Sequence, residues 1–168
     1  MIFGRNIRFC ACPAVFFLRG DTMEIMEVRE NKKKYIDLLL LADEDEKMID
    51  RYIERGSMYV LDDNGIKAEC VVTDEDGVLE IKNIAVAPEY QKMGYGRRLI
   101  EFVESKYKGG YTVLRVGTGD SPLTVPFYER LGFKRAYVIK NFFADNYERP
   151  IIEAGVRLTD MICLEKSI

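Results

Sequence analysis

The sequence predicts a single α/β domain of the α+β type, built on a central mixed, mostly antiparallel sheet flanked by helices. Three observations carry this expectation. The chain has 168 residues, enough for one compact domain and its core. Apolar residues make up 48% and charged residues 32%, an ordinary globular balance. The periodicity runs strand, two helices, three strands joined by tight turns, and then alternates helix and strand to the end.

The elements are justified in chain order. Residues 1–22 are basic and apolar, and the apolar run Val15-Phe16-Phe17-Leu18 is too short to cross a bilayer. Regular alternation starts only after Met23. The expectation is that residues 1–22 are a non-native or disordered extension and that residues 23–168 form the domain. A genuine N-terminal arm is the alternative. Glu24 to Arg29 alternates apolar and polar residues as a strand does. Asn31 is placed to cap a helix through about Leu41. Asp43, with Glu46 three residues on, suits the start of a second helix, which Gly56 would end in a left-handed turn. Met58–Leu61 and Ile66–Thr73 are strands joined through Asn64-Gly65, a hairpin turn sequence. Asp74-Glu75-Asp76-Gly77 is the next turn, and Val78–Val86 the next strand. Gly94–Lys106 has apolar residues at helical spacing. Tyr111–Val116 is a strand, Pro122–Leu131 a helix ending at Gly132, and Phe133–Ile139 and Arg157–Leu164 the last strands.

Composition narrows the chemistry. The net charge is -3, so no basic field favours nucleic acid. No run is long and apolar enough for a membrane partner. Histidine is absent, which removes the commonest general base and metal ligand. Proton transfer would therefore fall to Glu, Asp, Tyr, Cys or Lys. Cys10 and Cys12 lack a second ligand pair, so no metal is expected. Cys70 and Cys163 lie in apolar stretches and read as buried thiols of a cytoplasmic, reducing compartment.

The most informative segment runs from Ile81 to Leu99: a strand, a turn at Pro88, a loop with Gly94 and Gly96, then a helix. Glycines let a backbone approach a bulky anion, and the free N–H groups and dipole of a helix start attract it. Lys92, Arg97 and Arg98 add positive charge. The physics describes a phosphate or pyrophosphate site. The Rossmann pattern fails because Leu99 stands where the third glycine belongs, and no Walker sequence is present.

Gln91-x-x-Gly94-x-Gly96 after Ile84-Ala85-Val86-x-Pro88 resembles motif A of the GNAT acetyltransferase superfamily. Pro126-Phe127-Tyr128 through Gly132-Phe133 resembles its second hallmark, a Tyr-x-x-x-Gly-Phe helix end. The likeness spans Met23 to the C-terminus. The segment from Asn146-Tyr147 through Pro150-Ile151, Glu153 and Gly155 to Asp160-Met161 resembles the tail of one bacterial subgroup of unknown acceptor. It reads equally as the last strand and its leading loop.

The resemblance implies an N-acetyltransferase carrying an acetyl group from acetyl-CoA to a primary amine by direct attack in a ternary complex. The sheet would splay at the acetyl-CoA site. Backbone groups of Ile84, Ala85 and Val86 would hold the pantetheine arm. The N–H groups of Gln91, Lys92, Met93, Gly94, Tyr95, Gly96 and Arg97 would hold the pyrophosphate. Asp120, with Ser121 competing for the role, and Phe127 would complete the cofactor contacts. Glu80, on the strand leading into motif A, would be the base, partly removed from water among Val78, Leu79 and Ile81. Tyr128 would be the acid on the leaving thiolate, an ordinary phenol being adequately matched to a thiol. Arg115 stands where some members carry a glutamate, which argues against the ribosomal-protein N-terminal subgroup. The alternative class is a non-catalytic module that senses acyl-CoA. The acceptor is a small-molecule or peptide amine, and the sequence leaves room for a homodimer.

Overall fold

The computed structural model describes residues 23–168, so the reading of residues 1–22 lies outside the described residues. In chain order the elements are β1 (Glu24–Val28), a 3-10 turn (Lys32–Tyr35), α1 (Ile36–Ala42), α2 (Glu46–Asp50), β2 (Ser57–Asp62), β3 (Ile66–Glu75) and β4 (Val78–Val86). A second 3-10 turn (Pro88–Tyr90) leads to α3 (Tyr95–Tyr107), β5 (Val113–Gly119), α4 (Thr124–Arg130) and β6 (Lys134–Ile139). The chain ends with α5 (Phe142–Asn146), β7 (Ile152–Glu153), β8 (Val156–Arg157) and β9 (Met161–Ser167).

Seven strands form one sheet in the order β1-β2-β3-β4-β5-β9-β6, while β7 and β8 pair as a separate hairpin. Every pair in the large sheet is antiparallel except β4 with β5. The mixed, mostly antiparallel sheet with helices on both faces agrees with the expected fold. One face buries Leu79, Ile81, Leu114 and Val116 beneath Leu99, Ile100 and Val103 of α3 and Tyr128 of α4. The other buries Met58, Val60 and Val71 beneath Leu39 of α1 and Ile49, Tyr52 and Ile53. Among the described residues no helix is long and apolar enough to cross a membrane.

The two hairpin turns form as expected, with Asn64 and Gly65, and Asp76 and Gly77, at positive φ. Several expected boundaries are corrected. Asn31 does not cap: it adopts φ 52° with no side-chain bond, and a 3-10 turn precedes α1. The cap of α2 is Asp45, whose side chain accepts from Lys47 N–H, rather than Asp43. The helix ends at Asp50, and the chain keeps turning to Gly56 through bonds such as Gly56 N–H to Tyr52 O at 2.8 Å. Gly56 is needed for space rather than for a left-handed turn. A Cβ there would stand 2.6 Å from Val71 Cγ1, and φ is not positive. The last strand starts at Met161, not Arg157. Asp160 turns away to accept from Lys140 Nζ at 2.7 Å and Asn141 N–H at 2.8 Å, and Ala154 and Gly155 at positive φ fold the preceding residues into the β7–β8 hairpin.

Two departures from regular pairing shape the site. Lys82 is an extra residue on β4, because Val71 pairs with Asn83 while Val72 pairs with Ile81. The parallel pairing of β4 with β5 covers only Leu79, Glu80 and Ile81 against Leu114, Arg115 and Val116. Beyond Ile81 the two strands part.

Candidate active site

The parting of β4 from β5 leaves a gap bordered by Ile84, Ala85 and Val86 on one strand and Gly117, Thr118 and Gly119 on the other. Along this stretch β4 keeps its ladder with β3 but has no partner on the β5 side. Peptide groups left open there can bond an extended ligand. A cavity of about 550 Å³ lies at this place, lined among others by Glu80, Lys82, Ile84, Thr118 and Tyr128.

The start of α3 sits at the far end of β4. Gly94 is the N-cap residue at φ 91°, and no side chain caps the first turn. Lys92, at φ 63°, makes a second left-handed position two residues earlier. The first-turn N–H groups therefore have no side-chain cap, which suits a phosphate. Gly96 packs closely: a Cβ there would meet Phe127 Cζ at 3.4 Å and Val86 Cγ2 at 3.6 Å. The loop and the helix start follow directly on the splayed strand β4 in the chain.

The expected cofactor residues play different parts. The N–H of Gln91 already bonds Pro88 O at 3.3 Å, and its side-chain amide bonds Val86 O at 3.2 Å. Gln91 therefore braces the turn. Lys92 and Met93 are exposed on the loop. Tyr95 is buried and its hydroxyl bonds Asp63 Oδ2 at 2.7 Å, leaving only its backbone for an anion. Arg97 is exposed and its Nε sits 2.7 Å from Glu101 Oε1. Phe127 fills the space between Gly96 and the Tyr128 ring, 5.1 Å away. Asp120 is exposed and pairs with Arg135 at 3.1 Å, and Ser121 is buried with its Oγ accepting from Leu123 N–H. Neither is among the cavity residues, and of the other expected cofactor contacts only Ile84 is.

Glu80 and Tyr128 both line the cavity, Glu80 from the sheet face opposite the one that Tyr128 packs against. The Glu80 side chain keeps 16% of its exposure, but Leu79 and Ile81 are not the cause, since they point into the core on the opposite face. Its neighbours are cations instead: Lys82 Nζ at 2.8 Å and Arg115 Nη1 at 3.7 Å. Arg115 is anchored by Glu165 at 2.8 Å. Tyr128 is 6% exposed, and burial pushes its phenol well above the ordinary range. This corrects the expected match to a thiol. Full proton transfer from such a phenol is uphill, whereas a hydrogen bond to a developing negative charge remains available.

The cavity extends beyond these two groups to residues of the first two helices and the late loops, where the family resemblance places acceptor contacts without naming them. Asp43 and Tyr147 line it, with the Tyr147 hydroxyl donating to Asp43 Oδ1 at 3.0 Å. Asn83, brought inward after the β4 bulge, donates to Leu39 O and to the Tyr52 hydroxyl. Phe142, Phe143 and Glu153 come from the tail segment. That segment thus serves as both the leading loop of β9 and a wall of the cavity. The signal for α5 was weak: a five-residue helix follows Asn141 at φ 57° and has no apolar period of its own.

Comparison with known proteins agrees with this geometry. A family model described as an acetyltransferase (GNAT) domain matches residues 54–135. The uncharacterized N-acetyltransferase YvbK of Bacillus subtilis (strain 168) is 32% identical over 139 residues, covering 80% of this chain and 90% of that protein. The crystal structure of a GNAT family acetyltransferase from Elizabethkingia anophelis with acetyl-CoA bound superposes with a TM-score of 0.83. It is 38% identical over 89% of this chain and 100% of that one. The IAA acetyltransferase from Bacillus cereus ATCC 14579 gives a TM-score of 0.81 and 34% identity over 88% of this chain and 100% of that one.

Proposed function

The chain belongs to the GNAT acetyltransferase family and is an acetyl-CoA-dependent N-acetyltransferase acting on an amine-bearing acceptor, and from that premise we propose that transfer occurs by direct attack of a primary amine in a ternary complex. The observation that carries this reading is one cavity holding both Glu80 and Tyr128 at the place where β4 leaves β5.

Acetyl-CoA supplies an activated acetyl thioester; the other tasks fall to the protein. The open backbone of Ile84, Ala85 and Val86 orients the pantetheine arm. The N–H groups from Lys92 to Arg97 hold the pyrophosphate. Lys82 fixes Oε1 of Glu80 and leaves Oε2, with Arg115 farther off, to take the amine proton directly or through water. Tyr128 donates a hydrogen bond at the sulfur, in surroundings dry enough for that bond to count. Gln91, Phe127 and Gly96 keep the turn and the helix start in place.

A thiol-release screen of diverse amines with acetyl-CoA tests the reading. The expected result is amine-dependent release of CoA matched by N-acetylated product, with intersecting double-reciprocal plots. Parallel plots would indicate an acetyl-enzyme and overturn direct attack.

A further inference from the structure

The run Asp43-Glu44-Asp45-Glu46 reads in sequence equally as an attractor of polycations and as a solvated helix start, and the fold gives its members separate tasks. Asp45 caps α2. Glu46 pairs with Lys33 at 2.8 Å. Glu44 and Asp43 border the cavity, and Asp43 is the half-buried one. Its Oδ1 accepts from the Tyr147 hydroxyl at 3.0 Å, a residue on the opposite wall, and from Asp45 N–H at 3.4 Å. The Tyr52 hydroxyl adds a further, weaker contact. These donors are all neutral. Among the described residues no cation lies within 4.0 Å of Asp43.

We propose that Asp43 receives a cationic centre of the acceptor other than the amine that is acetylated, so that the acceptor is a diamine or longer polyamine. A carboxylate taken partly out of water and held only by neutral donors gains most from an incoming positive charge. Burial accordingly pushes Asp43 up despite the bonds it accepts. The wall beside it is aromatic. The Phe143 and Tyr147 rings stack at 5.6 Å, with Phe142 edge-on to both, and aromatic faces attract cations.

The charge balance of the cavity agrees. Lys82 is engaged by Glu80, and Arg55 by Glu75. Arg51 donates to the neutral Asn146 Oδ1. Asp43, Glu44 and Glu153 have no cationic partner among the described residues, so three uncompensated acids face one uncompensated arginine. Asp43 also lies in the same cavity as Glu80. One end of a short diamine can then sit at Asp43 while the other approaches the base. The inference rests on the reading of this cavity as the acceptor site.

The test is calorimetry on the protein saturated with CoA, which binds acceptor without turnover. Diamines from 1,3-diaminopropane to 1,6-diaminohexane are each compared with the n-alkylamine of equal carbon number. At least one diamine should bind roughly tenfold tighter than its monoamine, about 1.4 kcal/mol. Asp43→Asn, which keeps the Tyr147 bond, should bring that diamine to within about twofold of its monoamine. Tyr147→Phe, which removes a neutral donor and leaves the carboxylate, should keep the preference. The inference is overturned if no diamine outbinds its monoamine, or if the preference survives Asp43→Asn. Should Asp43→Asn no longer bind CoA, Asp43→Ser decides, and a preference that survives there overturns the inference. Tight diamine binding that depends on Asp43, without diamine-dependent CoA release by the wild type, would overturn the diamine as acceptor and leave Asp43 only as a cation-binding group.

Discussion

Lys82 Nζ lies 2.8 Å from Oε1 of Glu80, two residues back along β4, while Arg115 approaches the other carboxylate oxygen only to 3.7 Å. The pair orients Glu80 and leaves Oε2 the more available oxygen. If Glu80 takes the acceptor proton, Glu80→Gln should lower turnover about 10²–10⁴-fold. The defect should be largest at low pH, where the amine is protonated, and should shrink where the free amine is abundant. A pH–rate profile of both proteins checks this. Equal rates across pH 6–9 would remove Glu80 from the mechanism.

Tyr128 is expected to act on charge that develops only as the thiolate leaves. Tyr128→Phe should therefore reduce kcat by about 10²–10³-fold, the usual cost of one lost donor at such a site. Acetyl-CoA affinity should change little, because the ground state makes no comparable demand. Stopped assays for kcat and calorimetry for binding separate the two quantities. A loss of affinity equal to the loss of rate would show Tyr128 to be a packing residue, in keeping with its contacts to Phe127 and Phe133.

Much of this was legible in the sequence because local patterning and tertiary need coincide there. Asn64-Gly65 and Asp76-Gly77 make turns that depend on four residues, and both form where expected. Gly94-x-Gly96 marks the helix start because only backbone chemistry is involved. The sequence was silent where long-range contacts decide. Asp43 looks like a helix cap beside Glu46, but Tyr147, 104 residues later, bonds its carboxylate on the cavity wall. Asp120 is read as a cofactor contact from its place after β5, and the fold adds a pairing with Arg135 on β6 that no sequence spacing announces. Val78, Leu79 and Ile81 flank Glu80 in sequence as an apolar shield, yet strand alternation sends Leu79 and Ile81 to the other face. Gly56 looked like a helix stop and is instead the point where the turn after α2 meets Val71.

The phosphate loop offers a test that separates strain from contact. Gly94 has φ 91°, and a Cβ there meets nothing within 4 Å, so substitution is opposed by the backbone rather than by a neighbour. Gly94→Val should cost about 1–3 kcal/mol or shift the loop to relieve it. Either way CoA affinity should fall by at least about tenfold while the far-UV spectrum stays native. Unchanged CoA binding by calorimetry would end the pyrophosphate assignment.

Lys92 makes the complementary case, since it holds φ 63° without being glycine. A lysine there carries roughly 1 kcal/mol of left-handed strain, partly offset by its lower unfolded entropy. Lys92→Gly should leave stability level or slightly raised, by up to about 1 kcal/mol. If the ammonium also reaches the phosphates, CoA affinity should fall and become less dependent on salt. Denaturation curves and CoA titrations at two ionic strengths read both effects. A stability loss beyond 1 kcal/mol would show that Lys92 makes a contact that stabilises the loop.

The last prediction concerns Glu69, a carboxyl on β3 with 0% exposure that the proposed chemistry does not use. Neither of its oxygens has a hydrogen-bond partner in the structure. Burial pushes it up from 4.5 to about 8, and the nearby Ala85 backbone, which does not reach hydrogen-bond geometry, offsets this only in part. Its electrostatic neighbours Tyr52 and Cys70 are both pushed up by burial as well, so they stay neutral over the same range. The folded chain therefore holds the Glu69 proton more tightly than the unfolded chain does. Stability from this group is fully present below about pH 4.5 and is lost as pH rises toward about 8, at up to about 1.4 kcal/mol per unit. Glu69→Gln preserves the shape of the neutral acid and removes the titration. It should match the wild type near pH 4.5, exceed it increasingly toward pH 8, and run parallel to it above that. Urea denaturation from pH 4.5 to 8.5 measures the difference directly. A difference that does not change with pH would mean that Glu69 is ionised in the native state and held by a partner, contrary to its burial without one.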